Sequence, residues 1–413
     1  MSDLVSSLSQ EALASALPDL RRAPAVFKSA LGIAAENWLW GSLVLVLPSG
    51  RELPIHGCHP GPEARVIIRD YRFIRRVMTT GALGFAEGYI AGEWETPDLA
   101  DVLESASLNF DHLQQLAHGN PIARVLNFLR HLLNNNSRAG SRRNIHAHYD
   151  LGNAFYERWL DPTMSYSSAR YAHPDQPLDQ AQHHKYETLA RSIALEPNHH
   201  VLEIGCGWGG FAEFAAAEVG AKVTGVTISR AQYDFARRRL FEQGLAEKAD
   251  IRLIDYRDVQ GQFDRVASIE MFEAVGERYW PTYFSKLHDV LRPGGQAGLQ
   301  IITIRDELFD DYRSSADFIQ KYVFPGGMLG SERRLRQETG RAGLEWDQIH
   351  RFGQDYAHTL REWAERFEQA WSSISELGFD ERFHRLWRYY LRYCEAGFRS
   401  QRTDVVQLSL SRT

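Results

Sequence analysis

Apolar positions between residues 201 and 304 fall into short blocks separated by stretches of helical period. Val201–Ile204, Lys222–Ile228, Ile251–Ile254, Arg265–Ile269 and Gly298–Ile304 are apolar or β-branched, as strands covered on both faces are. Phe211–Val219, rich in Ala and Phe, lies between the first two, and Gln232–Phe241 follows the second with apolar and charged residues at helical spacing. This alternation predicts a doubly wound α/β sheet that takes its ligand at the carboxyl ends of the strands. Before about residue 140 the pattern differs. Helical spacing over Leu8–Leu31 gives way to a β-like run Trp38–Leu47, a turn at Pro48-Ser49-Gly50, strands near Leu53–His56 and Ala64–Ile68, and a helix over Tyr71–Met78. That order predicts a smaller N-terminal α+β domain. Near the other end, Phe309–Tyr322 reads as a helix inserted after the last strand, and Trp363–Phe398 as a helical cover on the sheet.

The run Val201-Leu202-Glu203-Ile204-Gly205-Cys206-Gly207-Trp208-Gly209-Gly210 joins a buried strand to the helix begun by Phe211 through a glycine-rich turn. Glycines let the backbone bend sharply and approach a ligand, while free N–H groups at the helix start face polar atoms. Gly205, Gly207 and Gly210 satisfy the dinucleotide pattern Gly-x-Gly-x-x-Gly, but that site also wants an acid about 20 residues on for the ribose, where this chain has Thr227 and Ser229. With the carboxylate of Glu203 just before the turn, S-adenosylmethionine (SAM) fits better.

Further segments carry a resemblance. His148-Tyr149-Asp150-Leu151-Gly152-Asn153, Asp161-Pro162 with Met164-Ser165-Tyr166-Ser167, and the glycine turn with Trp208 come first. Thr227-Ile228-Ser229 with Gln232, Met271-Phe272-Glu273-Ala274-Val275-Gly276, Tyr322-Val323-Phe324-Pro325-Gly326-Gly327, and Phe352-Gly353 with Asp355-Tyr356 follow in order. In these the chain resembles the cyclopropane fatty acyl phospholipid synthase family, mycolic acid relatives included. The resemblance implies a Rossmann-like class I SAM methyltransferase domain. It also implies SAM contacts at Tyr166 and Ser167, which close over the cofactor. From what the cofactor offers, Glu203 with the Gly205 and Gly207 backbones suits the methionyl end. Thr227, Ser229 and Gln232 suit the ribose, and Asp255, Tyr256 and Arg257 flank the adenine, with ordinary packing the alternative for Tyr256.

Cyclopropanation leaves a carbocation whose new methyl group must lose a proton before the ring closes. In the family the base is a bound bicarbonate, held by a cysteine, a glutamate, a histidine, a tyrosine and a backbone amide. Glu273, Tyr356 and the Ile302 backbone match three of these places; Ser168 stands for the cysteine and Gln300 for the histidine. Both replacements donate hydrogen bonds, so bicarbonate stays compatible with them, but neither matches the original acidity, and ring closure is left open. Gln300, in an otherwise apolar strand, needs a buried partner. Glu270 lies near the site with no role in the family pattern.

The sequence divides into an N-terminal lipid-handling domain over 1–120, a basic amphipathic linker over 121–143, and a catalytic domain over 144–413 with a lid insertion at about 305–330. By resemblance, Gly81–Trp94 belongs to the lipid-handling part, while its glycines and aromatics equally suit packing. The linker's stripe of Ile122, Val125, Leu126, Leu129, Leu132 and Leu133, followed by Arg138, Arg142 and Arg143, suits anionic headgroups or packing on the catalytic domain. A net charge of −6 argues against nucleic acid as a general partner. Cys58, Cys206 and Cys394 show no paired spacing, so neither metal nor disulfide is expected and a reducing cytoplasm is the simplest compartment. No stretch reaches the roughly 18 apolar residues of a membrane span, so the membrane would be touched from its inner face. A homo-oligomer is compatible with all of this. The expectation is an enzyme that transfers methyl from SAM to the double bond of an unsaturated acyl chain in a membrane phospholipid, forming a cyclopropane. The alternatives are methylation without ring closure, small-molecule N-methylation, and lipid binding without turnover.

Overall fold

A computed structural model describes residues 10–113, 116, 151–314 and 317–412. The segment 121–143, with its apolar stripe and arginines, and the motif at 148–150 lie outside the described residues. The described chain forms two compact units. One takes residues from Met1–Arg130, Ser314–Lys321 and Gly378–Arg402, the other from His131–Arg313, Tyr322–Leu377 and Thr403–Thr413.

The first unit is built on β1 (Trp40–Val46), β2 (Glu52–His56), β3 (His59–Ile68) and β4 (Trp94–Glu95), in the order β2-β1-β3-β4. The helix expected over Leu8–Leu31 is two helices, Gln10–Arg22 and Ala25–Asn37, because Pro24 at the junction has no N–H to continue the ladder. Gly81–Trp94 serves packing here. Its helix Ala82–Ile90 lies so close to the preceding one that a Cβ on Gly84 would sit 2.2 Å from the Arg76 carbonyl oxygen. Phe85 and the buried Trp94 stack at 4.2 Å, and Trp94 Nε1 donates to the Phe85 carbonyl at 2.9 Å.

The second unit holds a seven-stranded sheet of β5 (His200–Ile204), β6 (Lys222–Thr227), β7 (Ala249–Leu253), β8 (Phe263–Ile269), β9 (Leu291–Ile304), β10 (Leu344–Arg351) and β11 (Thr403–Arg412). The order is β10-β11-β9-β8-β5-β6-β7. The five strands read from the sequence pair parallel with one another, and β11 runs antiparallel to both β9 and β10. Leu202, Val266, Leu299 and Leu408 are fully buried on the sheet; a side chain of this size contributes about 1.5–3 kcal/mol when taken from water.

Three helical expectations are corrected. Phe211–Val219 is an α-helix only from Gly210 to Phe214 and then widens into a π turn over Ala215–Val219. Phe309–Tyr322 breaks into Phe309–Arg313 and Phe318–Tyr322, with Phe309 packed on Trp280 in the second unit and Phe318 on Tyr389 in the first. Trp363–Phe398 is two helices, Gly353–Ser375 and Glu381–Arg399, separated around Gly378 at φ 98°. The second groups with the first unit, where Tyr389 meets Tyr89 at 5.7 Å.

The turn after β5 needs its glycine. Gly205 has φ 81°, and a Cβ there would lie 2.6 Å from Met271 Cγ. Gly205→Ala combines a left-handed backbone costing roughly 1–2 kcal/mol with that clash. The variant is expected to melt several degrees lower than the parent and to bind SAM at least about tenfold more weakly, by thermal melt and titration calorimetry.

Candidate active site

The carboxyl ends of β5, β6 and β7 bring the residues expected to hold SAM together. Glu203, the next-to-last residue of β5, is 3% exposed, and burial pushes its carboxyl up to about 8. Its Oε2 is buried with no hydrogen-bond partner among the described residues. An unpartnered carboxylate oxygen beside a glycine turn suits an ammonium group, so the residues present fit the methionyl end of SAM. At the end of β6, Thr227 Oγ1 accepts from Ser229 N at 3.1 Å and donates to Gln232 Oε1 at 2.9 Å, while Ser229 Oγ caps the next helix by accepting from Gln232 N at 3.3 Å. After β7, Asp255 is bound by Arg257 through Nε at 2.8 Å and Nη2 at 2.6 Å, and the Tyr256 ring packs edge-on to Tyr283 at 5.5 Å. Tyr166 sits among Tyr156, Trp159 and Trp363, with ring centroids 5.2–5.7 Å apart.

Sequence reasoning missed Lys185. It lies fully buried on the helix Leu178–Ser192, where its Nζ donates to Ser167 Oγ at 2.7 Å and to Gln182 Oε1. Burial pulls its ammonium down to about 8, against the pull of Glu270, Asp161 and Glu203. A signal was present, since Leu178, Ala181, Lys185 and Leu189 share one apolar stripe on which a lysine has no place unless paired.

The residues expected around bicarbonate are also brought together, but on a side chain of the protein. Glu270 follows β8 and is half-buried, at φ 47°, a left-handed conformation that costs a glutamate roughly 1–3 kcal/mol unless its surroundings fix it. The surroundings do so. Its N–H donates to the Gln300 carbonyl at 2.8 Å, and its carboxylate collects three donors. Oε1 accepts from Ser168 N at 2.8 Å and Gln300 Nε2 at 2.8 Å, and Oε2 accepts from Tyr356 Oη at 2.6 Å. The Ser168 hydroxyl instead donates to the Ala169 carbonyl at 2.8 Å. Glu273 is separate from this group. Its Oε1 accepts from Ile302 N at 2.5 Å, so that amide is already engaged, while Oε2 is buried and has no partner among the described residues. Burial and the charge of Glu270 push Glu273 up to about 8. Burial raises Glu270 as well, opposed by Tyr356, Gln300, Lys185 and the Ser168 amide. Thus Gln300, Tyr356 and Ser168 meet at Glu270, a residue the sequence pattern left without a role.

A glycine turn after the first strand of this sheet, an unpartnered buried carboxylate beside it, and an antiparallel last strand inserted between β9 and β10 together define a class I SAM-dependent methyltransferase. Within that class the chain belongs to the mycolic acid cyclopropane synthetase family, whose model matches residues 136–408. It is 40% identical over 368 residues to the tuberculostearic acid methyltransferase of Mycobacterium tuberculosis, covering 86% of this chain and 84% of that protein. It is 36% identical over 383 residues to the cyclopropane-fatty-acyl-phospholipid synthase of Escherichia coli K12, covering 92% and 95%. A mycolic acid cyclopropane synthase solved with SAH and CTAB superposes with a TM-score of 0.62 at 27% identity, over 65% of this chain and 98% of that one. The protein is a SAM-dependent methyltransferase from a family of lipid-modifying enzymes. Among the described residues no helix is long and apolar enough to cross a membrane.

Proposed function

We propose that the protein methylates the double bond of an unsaturated acyl chain in a membrane phospholipid, working at the inner membrane face, and that Glu270 takes the proton the methylated chain then loses. The observation that carries this reading is the convergence of Ser168 N–H, Gln300 and Tyr356 on one carboxylate. SAM, when bound, supplies an electrophilic methyl group that the alkene carbon takes up, leaving a cationic acyl chain. Glu203 and the Gly205 and Gly207 backbones would hold its methionyl end, with Thr227, Ser229 and Gln232 on the ribose side and Asp255, Tyr256 and Arg257 on the adenine side. Tyr166 and Ser167 would close over it. Glu270 in its ionised form is held by three donors, which oppose the upward push of burial on its carboxyl, and it accepts a proton from carbon. Glu273, near 8, is largely the neutral acid at pH 7.

Two products arise from the same cation. Loss of a proton from the new methyl carbon lets the freed C–H electron pair close a three-membered ring. If a hydride first moves between the former alkene carbons, the same pair forms an exocyclic double bond. An open methylene-branched chain is the favoured reading, because Gln300 and Tyr356 donate to Glu270 and the Ile302 amide to Glu273, and because Ser168 and Gln300 depart from the cyclopropane pattern. The likeness to a protein named as a methyltransferase supports it. Ring closure is the second reading, supported by the 36% identity to the E. coli synthase. The isomers have equal mass, so the test is proton NMR on acyl esters recovered after incubation with SAM and liposomes of monounsaturated phospholipid. Vinylidene protons without ring protons are expected. Ring protons would replace this reading by the second, and SAM binding with no lipid product would move the substrate to small molecules.

A further inference from the structure

Gln407 lies on β11 directly opposite Gln300 on β9, and both side chains are buried, at 1% and 0% exposed. Gln407 Oε1 accepts from Arg170 Nη1 at 3.0 Å and from Thr188 Oγ1 at 3.0 Å. Its Nε2 donates to the Lys185 carbonyl at 3.1 Å and to Gln300 Oε1 at 3.2 Å. Gln300 Nε2 in turn donates to Glu270 Oε1 at 2.8 Å and to the Ser168 carbonyl at 3.1 Å. An amide has an acceptor end and a donor end of nearly the same shape, so packing alone does not decide which way it points. Arginine decides it here, since a guanidinium donates only and stays charged. Arg170 requires the oxygen of Gln407 to face it, which turns the Gln407 nitrogen to Gln300, which turns the Gln300 nitrogen to Glu270.

We propose that Gln407, set by Arg170, is a positioning residue for the methyl-transfer reaction, fixing the polarity of a buried amide relay so that Gln300 always presents a donor to the Glu270 carboxylate. This rests on the reading of Glu270 as the proton acceptor. Without the relay, Gln300 can turn its carbonyl oxygen toward Glu270, replacing a donor by a repulsion. The other groups that face Glu270 are Tyr356 from the helix Gly353–Ser375, Lys185 from the helix Leu178–Ser192, the Ser168 amide, and Glu273 beyond β8. Of these only Lys185 touches Gln407, through its backbone carbonyl, and its ammonium keeps its own partners Ser167 and Gln182 when 407 is changed.

The test is the pH dependence of turnover in the full-length protein with SAM and monounsaturated liposomes. Activity that needs ionised Glu270 rises with pH through its pKa, and loss of a donor raises that pKa. In Gln407→Met the acid limb is expected to move up by about one pH unit, so that kcat at pH values on that limb falls about tenfold while KM for SAM is unchanged. In a Gln300→Leu background the same substitution is expected to change little, because the residue through which it acts is gone. Gln407→Glu, nearly isosteric, gives a second folded variant, expected to shift the limb further in the same direction. An unmoved limb in either folded variant, or full additivity with Gln300→Leu, overturns the relay. If Glu270→Gln keeps parental turnover, the proton-acceptor reading falls. If Glu270→Gln is inactive while Gln407→Met behaves as the parent, only the relay falls.

Discussion

Glu270→Gln is expected to reduce turnover at least about a thousandfold while leaving the affinity for SAM within about twofold of the parent. A positioned general base contributes roughly 10²–10⁴ in rate, and glutamine has no basic oxygen to take a proton from carbon. The substitution also replaces one carboxylate oxygen by an amide nitrogen, set either against the Ser168 and Gln300 donors that now reach Oε1 or against the Tyr356 hydroxyl that now reaches Oε2. The SAM-binding face should be indifferent, because Glu203 lies on a different strand and engages none of these donors. Single-turnover rates and calorimetric titration with SAM separate the two effects. Parental turnover in the variant would remove Glu270 from the chemistry and return attention to Glu273, whose buried Oε2 has no partner among the described residues.

The second large effect is expected at Glu203. Glu203→Gln should weaken SAM binding by about ten- to a hundredfold, the worth of a charged hydrogen bond, with kcat at saturating SAM changed much less. The same variant should behave differently in stability. Burial holds the folded-state carboxyl near 8, above its ordinary value of 4.5. A group raised in this way favours the folded state fully below about 4.5, and that contribution is lost as pH rises through about 8. Glutamine has no such dependence. The SAM-free variant is therefore expected to gain thermal stability relative to the parent as pH is raised from 5 to 9. A fixed difference in melting temperature across that range would show that Glu203 is not held protonated.

What could be read from the sequence followed the physics of each element. The strands β5, β6 and β8 announced themselves because both faces are covered and the runs are continuously apolar. The turn at Gly205 was legible because no other residue combines φ 81° with the approach of Met271. β10, with the sequence LEWDQIHR, is an edge strand half open to solvent and carries little apolar signal, and β11 was passed over beside the longer aromatic segment before it. Helix breaks were invisible where continuous aromatic spacing ran through them, as at Gly378. At the site, Gln300 drew notice as a polar residue in an apolar strand and proved to have partners in Glu270, the Ser168 carbonyl and Gln407. Glu270 stands near the site in the sequence but without a role, because its partners lie 102, 30 and 86 positions away along the chain, a convergence that no local pattern carries.

The measurement that bears most directly on a carboxylate supplied by the protein itself is the dependence of turnover on bicarbonate. Purified protein would be assayed with SAM and monounsaturated phospholipid liposomes in buffer stripped of carbon dioxide, with bicarbonate then restored in steps. Rates that stay the same throughout are expected if Glu270 occupies the donors and takes the proton. A rate that vanishes on stripping and returns saturably with bicarbonate would contradict this and give the proton to a bound anion.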